Sequence, residues 1–222
     1  MASNLINTIM SSLKMIIYYA PILLVSITVH EFAHAYTAKR LGDNTAYLAG
    51  RVSLNPLRHL DPVGTICMLI MGFGWGKAVP VSVLNFKNPQ KDSALVALAG
   101  PVSNVIMACI WGLLFGIISI FIDYSSYVYQ LLFYAVYLNC ALCVFNLLPI
   151  TPLDGSRVLS LILPKKAYFK LIKYEKWFFI ILVVLMFANL LDPVISFLAG
   201  GLFDGVYYTF ISLGRIIGSL FI

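Results

Sequence analysis

Charge is scarce in this chain. Of 222 residues only 11% are Asp, Glu, Lys or Arg, against about 25% in an ordinary soluble domain, whereas 61% are hydrophobic. A chain of this length cannot hide so much apolar surface in a core of its own. That excludes a cytosolic globular protein and makes lipid the solvent for most of the molecule. Acidic residues are fewer than basic ones, nine against fifteen, for a formal net charge of +6. In a soluble chain the excess would suggest nucleic acid; here no nucleic-acid partner is expected, and the excess records membrane topology. Cysteine is sparse too, and Cys67, Cys109, Cys140 and Cys143 all lie in or beside apolar runs. Cys140-x-x-Cys143 has no second pair to complete a zinc ribbon and no polar helix start to make a redox motif, so the cysteines read as small core residues.

What the chain has in quantity is apolar runs of bilayer-crossing length, about 20 residues. The first covers residues 15–38, with Pro21 near its start and Lys39-Arg40 at its end. It is not a signal peptide, because His, Glu and His follow where small residues should mark a cleavage site. Before it, Leu5, Ile6, Ile9 and Leu13 fall at helical spacing beside polar residues, which suits an interfacial helix. Residues 65–75 are apolar but too few to cross. Gly72, Gly74 and Gly76 break that stretch, and Val79, Val81 and Val83 then alternate around Pro80 as an edge strand would. A re-entrant, β-hairpin-like loop is expected there, tolerable at membrane depth only against protein or a wet cavity. Long runs follow at 94–122 and 127–148, and 177–222 holds two more, divided between Asp192 and Gly205.

The expected fold is therefore an all-α polytopic membrane protein with about five transmembrane helices plus the re-entrant loop. One domain covers 1–222, with a core over about 15–160 and C-terminal spans over about 177–222. Positive charge agrees with five crossings. Lys39, Arg40, Arg51, Arg58, Lys77, Lys87 and Lys91 lie between the first two spans, and Arg157, Lys165, Lys166, Lys170, Lys173 and Lys176 between the third and fourth. The turns near Asp123 and Asp192 carry no Lys or Arg. The positive-inside rule then puts the amino terminus outside, and both basic loops and the carboxyl terminus in the cytoplasm.

His30-Glu31-Phe32-Ala33-His34 reads H-E-x-x-H. On a helix, residues four apart are separated by about 40° around the axis and about 6 Å along it, so both imidazoles can grip one metal ion. Glu31, about 60° further around than His34, flanks that face and is placed to take a proton from water at that metal. Ionisable groups inside a span cost several kcal/mol if idle, which marks them as functional. A catalytic zinc usually has three protein ligands and one open position, so a third donor is required. The candidates are His59, the chain's only other histidine, and Asp154 in Asn146-Leu-Leu-Pro-Ile-Thr-Pro-Leu-Asp-Gly155. His34 stands five residues before Lys39 and Asp154 three before Arg157, so both belong at the cytoplasmic end of their spans, and depth favours Asp154. Pro149 and Pro152 deny the backbone a regular helix there and would swing the carboxylate inward. The competing role for Asp154 is to cap a short helix starting after it; for His59, a turn at the rim.

These two motifs, with Gly50-Arg-Val-Ser-Leu-Asn-Pro56, Gly74-Trp-Gly-Lys-Ala-Val-Pro80 and Ala99-Gly-Pro-Val-Ser-Asn104 between them, resemble the site-2 protease family of intramembrane zinc metalloproteases, in its short prokaryotic form. The resemblance implies one Zn2+ held by His30, His34 and Asp154, with Glu31 as the base. It also implies a transmembrane-helix protein substrate cut within or near the lipid bilayer of a prokaryotic plasma membrane. Asn146 matches an asparagine that contacts substrate or the polarised carbonyl. Asn104 is a second substrate candidate, its alternative being a hydrogen bond between spans. Val79 and Val81 are candidates to hold an unwound substrate strand by edge pairing. No segment is long and polar enough for a PDZ or CBS domain, so a regulatory partner protein is expected to select substrates. The rival readings are a catalytically silent helix-binding protein, which should have lost part of the constellation, and a metal or proton transporter, which has no obvious use for Glu31 and should show an inverted repeat.

Overall fold

The computed structural model describes residues 2–71, 75–164 and 173–221. The described chain is mostly helical: α1 (Ala2–Arg40), α2 (Thr45–Leu48), α3 (Pro62–Met71), α4 (Pro89–Ile118), α5 (Tyr127–Leu147), α6 (Asp154–Leu159), α7 (Glu175–Phe187), α8 (Asp192–Val206) and α9 (Ser212–Ser219). A π turn at Tyr207–Ile211 joins α8 to α9 into one continuous element. Among the described residues there is no sheet, only an isolated antiparallel bridge from Leu60 to Gly76. Among the described residues, three helices are long and apolar enough to cross a membrane: α4, α5 and the run Asp192–Ser219.

Local chemistry sets the helix ends. Pro89 occupies the first turn of α4, where no N–H partner is lost, and the Asp92 carboxylate accepts the Asn88 amide at 2.9 Å. The Ser126 hydroxyl caps α5 by accepting the Tyr129 amide at 3.1 Å. α7 stops where Asn189 takes a left-handed φ of 55°, and the Leu190 amide bonds back to the Leu185 carbonyl at 3.0 Å. This corrects the sequence reading of the C-terminal region. The break falls at 188–191, just before Asp192 and not after it, because the left-handed asparagine and Pro193 punctuate the chain there. The amphipathic segment at 5–13 and the first apolar run also form one helix, α1, not two. Gly72 and Gly74 of the expected re-entrant loop lie outside the described residues. Gly76 is held by the bridge to Leu60, but Val79 and Val81 lie in no strand and Val83 begins a 3-10 turn, so the expected edge strand is not formed.

α4 is the central helix and packs against α1, α5, α6 and α9. Ala108, Val136, Cys140, Ala199 and Val206 form the core between α4, α5 and α8, with Phe115, Leu132 and Ile211 extending it. α9 lies almost backbone to backbone on α4. A Cβ at Gly116 would come within 2.9 Å of the Gly214 Cα, and one at Gly214 within 2.9 Å of the Gly116 Cα. Small residues at such crossings allow close helix contact where lipid supplies no hydrophobic drive.

At the other end of the molecule, buried Asp43 ties the turn after α1 to the turn before α4. Its carboxylate accepts the Ser82 amide at 2.7 Å, the Asn85 side chain at 2.7 Å and the Thr45 amide at 3.0 Å. Burial alone would raise this carboxyl, but the hydrogen bonds from Thr45, Asn85 and Ser82 outweigh it and hold it below the usual carboxylate range.

Candidate metal centre

α1 carries His30 and His34 one turn apart, and α6 begins at Asp154 directly opposite them. The two imidazole Nε2 atoms are 3.0 Å apart, and each is 3.3 Å from Asp154 Oδ2. The rings stand nearly perpendicular, at 86°, which turns both nitrogens onto one point. The far side of each ring is held as well. His30 Nδ1 lies 3.2 Å from the Asn104 side-chain oxygen, and His34 Nδ1 lies 2.7 Å from the Val96 carbonyl. Both partners are acceptors, so the protons sit on Nδ1 and the Nε2 lone pairs face inward.

Two lone pairs and a carboxylate oxygen are thus crowded together with no donor among them, and Asp154 Oδ2 is buried without a hydrogen-bond partner. Such a cluster is repulsive unless a cation occupies its centre. Tetrahedral zinc with ligands at about 2.0–2.1 Å separates its donors by about 3.3–3.4 Å, which the two edges to Asp154 match and the 3.0 Å edge between the histidines approaches within a few tenths of an ångström. These are the residues that form a three-donor group among the described ones.

Each helix contributes for a legible reason. Asp154 does not cap α6: Leu153 is the N-cap, with no side-chain bond, and the carboxylate is free to face the histidines. Gly155 lets α6 start hard against the end of α5, since a Cβ there would strike the Leu147 and Leu148 carbonyls. On α4, the Val96 carbonyl, in the turn before Pro101, accepts the His34 proton. Gly100 is the residue that sequence reasoning missed. A Cβ on it would collide with both imidazoles, so only glycine lets α4 lie against the metal pocket. The signal was present as a Gly-Pro pair inside an apolar run. The Val96 carbonyl, a backbone group, had no signal at all.

Glu31 stands outside the donor triangle. Its Oε2 accepts the Val79 amide at 3.1 Å, and the Arg51 guanidinium is near enough to feel its charge. His59 is fully buried and not part of the triangle. Its Nε2–H donates to the Ser53 carbonyl at 2.6 Å, and its Nδ1 lies 3.4 Å from Arg51 Nη2. Arg51 in turn donates to the Ala78 carbonyl at 3.1 Å and to the Lys77 carbonyl, and the Lys77 amide bonds the His59 carbonyl at 2.8 Å. His59 and Arg51 therefore clamp the segment whose next amide orients Glu31.

A cavity of about 160 Å3 opens onto His30, Glu31, His34 and Asp154, bordered by Val79, Val81, Asn146 and Arg157. It is roomy enough for several waters. Asn146 reaches it with its Nδ2 donating to the Leu142 carbonyl at 2.9 Å. Asn104 does not line it; at 1% exposure it sits behind His30 and bonds the ring. Asn104 thus makes the hydrogen bond between spans that was its alternative role.

A helical membrane protein with two histidines and an aspartate around one point, and a glutamate beside them on a cavity roomy enough for water, has the constellation of a metallopeptidase. The chain belongs to Peptidase family M50, the site-2 protease family, whose model matches residues 113–188. The Bacillus subtilis (strain 168) protein named "Putative zinc metalloprotease YwhC" is 40% identical over 183 residues, 80% of this chain and 84% of that protein. A Mycolicibacterium smegmatis protein named "Putative zinc metalloprotease Rip2" is 32% identical over 76% of this chain and 66% of its own length. "Zinc metalloprotease MJ0392" of Methanocaldococcus jannaschii is 31% identical over 65% of this chain and 34% of its own length. No solved structure matches the chain.

Proposed function

We propose that the protein is an intramembrane zinc metalloprotease that hydrolyses peptide bonds within or near the transmembrane segments of other membrane proteins. The convergence of His30 Nε2, His34 Nε2 and Asp154 Oδ2 within 3.3 Å, with Glu31 free of that triangle, carries the reading. His30, His34 and Asp154 hold the zinc, one ion per chain, which supplies Lewis acidity to the scissile carbonyl and lowers the pKa of water. Glu31 accepts a proton from the attacking water and returns it to the leaving amide nitrogen. The Val79 amide, with the clamp of Arg51 and His59 behind it, keeps Glu31 aimed for the first of these transfers.

A helical substrate hides its carbonyls in its own hydrogen bonds and has to unwind before attack. Val79 and Val81, at the cavity edge, receive the unwound strand, with Pro80 limiting how many ladder bonds form. Asn146 meets the substrate from the other wall. The catalytic unit is one domain over 1–222 with five crossings and a re-entrant loop, its amino terminus outside and its active-site opening cytoplasmic. Thirteen of fifteen basic residues in the two loops assigned to that side support the orientation. A partner protein is expected to choose the substrate.

The test pairs zinc content with cleavage of a panel of co-expressed single-span proteins. Glu31→Gln should abolish cleavage and leave roughly one zinc per chain. Retained cleavage removes Glu31 from the mechanism, and loss of zinc with the fold makes it structural.

A further inference from the structure

The continuous element from Asp192 to Ser219 holds five glycines, and only some of them serve this chain. Gly214 and Gly218 are filled by α4: a Cβ on either would meet the backbone of residues 113–117 within 2.9 Å. Gly200, Gly201 and Gly205 have no atom of the described residues within 4 Å of where a Cβ would stand. Between them lies Asp204, exposed, with no hydrogen-bond or ion-pair partner among the described residues. One turn further on, Tyr208 is 75% exposed. Gly201, Asp204, Gly205 and Tyr208 recur at the spacing of a single helix face.

Depth makes this carboxylate expensive. The neighbouring Phe203 ring packs 5.4 Å from Phe133 and 6.1 Å from Tyr137, at the middle of the 21-residue α5. Asp204 is about 18 Å along the helix from Asp192, too far for its short side chain to reach either interface. A carboxylate facing lipid at mid-bilayer costs several kcal/mol and calls for a partner. None of the residues bordering the catalytic cavity belongs to α8, so substrate in that cavity does not supply one.

We propose that this face of α8 docks a transmembrane helix of another protein that carries one lysine or arginine near the middle of its span. The open glycines allow the two backbones to approach closely, and Asp204 pairs with the incoming cation. A second copy of this chain fits poorly. Parallel copies related by a two-fold axis would set Asp204 against Asp204 at the same depth, α4 beyond Lys91 and all of α5 contain no Lys or Arg, and Arg215 of this element lies about 16 Å further along the axis and donates to its own Tyr207 hydroxyl at 3.2 Å.

The test uses the full chain, labelled at its carboxyl terminus, in lipid vesicles with three synthetic leucine-alanine transmembrane peptides that differ only at the central residue: lysine, leucine or glutamate. Energy transfer reads association. The lysine peptide should bind about tenfold more tightly than the leucine peptide, and the glutamate peptide no better than leucine. Asp204→Asn and Gly205→Leu should each bring the lysine preference below about twofold, Asp204→Glu should keep most of it, and zinc content should be unchanged in all three variants. Equal binding of the three peptides overturns the proposal, as does a lysine preference that survives Asp204→Asn. Self-association of differently labelled chains that depends on Asp204 would overturn it in favour of a second copy.

Discussion

The α-carbon of Gly100 faces the imidazole of His34 so closely that a single methyl group on it would overlap Nε2, the atom aimed at the metal pocket. α4 has no other way to approach α1 at that level while the Val96 carbonyl, one turn earlier, holds Nδ1 of the same ring at 2.7 Å.

Gly100→Ala should therefore act as a metal-site variant although it carries no ligand. Zinc affinity should fall about 10- to 100-fold, with cleavage falling in parallel, because either ring must leave its rotamer or α4 must retreat. Metal analysis with circular dichroism on the same sample checks this. Full zinc occupancy with an intact helical signal would show that the pocket tolerates the methyl group.

Asp154 and His59 are distinguished by what they touch. Asp154→Ala removes one corner of the donor triangle and should reduce bound zinc to a small fraction of one per chain. His59→Ala loosens the Arg51 clamp instead and should leave zinc in place while slowing turnover, since Val79 no longer holds Glu31 steadily. The opposite pattern of zinc loss would make the site three histidines.

Acid should release the tie at Asp43. Its carboxyl sits below the usual range in the folded protein, so it contributes stability that is fully present above the unfolded value of about 3.9 and is lost as pH falls through the lower folded value. Asp43→Ala strands the Ser82 and Asn85 donors and should cost about 1–3 kcal/mol at pH 7. Thermal unfolding in detergent should show the gap between wild type and variant closing as pH is lowered towards 3. A gap independent of pH would mean that Asp43 contributes through packing alone.

Orientation is testable by accessibility. In a background without cysteine, Ser53→Cys should react with an impermeant thiol reagent only from the cytoplasmic side, and Ser125→Cys only from the outside. Ala33→Cys, beside the ligands, should react slowly from the cytoplasm, because hydrolysis needs water at that depth. Labelling of position 125 from the cytoplasm would invert the topology.

How much could be read in advance follows from which interactions are local. The solvent was legible from composition, since 61% hydrophobic residues in 222 leave lipid as the place to put them. The pairing of His30 with His34 was legible because four residues on a helix always return to the same face, and α5 was legible to within a residue, whereas α4 begins at Pro89, five residues before the apolar run at 94, because Pro89 and Asp92 start a helix that hydropathy alone does not show. The break before Asp192 was misplaced by a few residues, because a left-handed asparagine has no side-chain pattern to announce it.

Tertiary packing decided the rest. Asp154 joins histidines more than a hundred residues away only because α6 abuts the end of α5 at Gly155, and that contact depends on carbonyls that sequence does not place. The Asn104 bond to His30 depends on how α4 is turned against α1, and so does the glycine that admits both rings. Spacing along one helix chose two ligands and a base. The third ligand and the tautomers came from three helices meeting at one depth, where lone pairs had to be given a partner, and the aim of the base came from the loop at Val79 that Arg51 and His59 clamp.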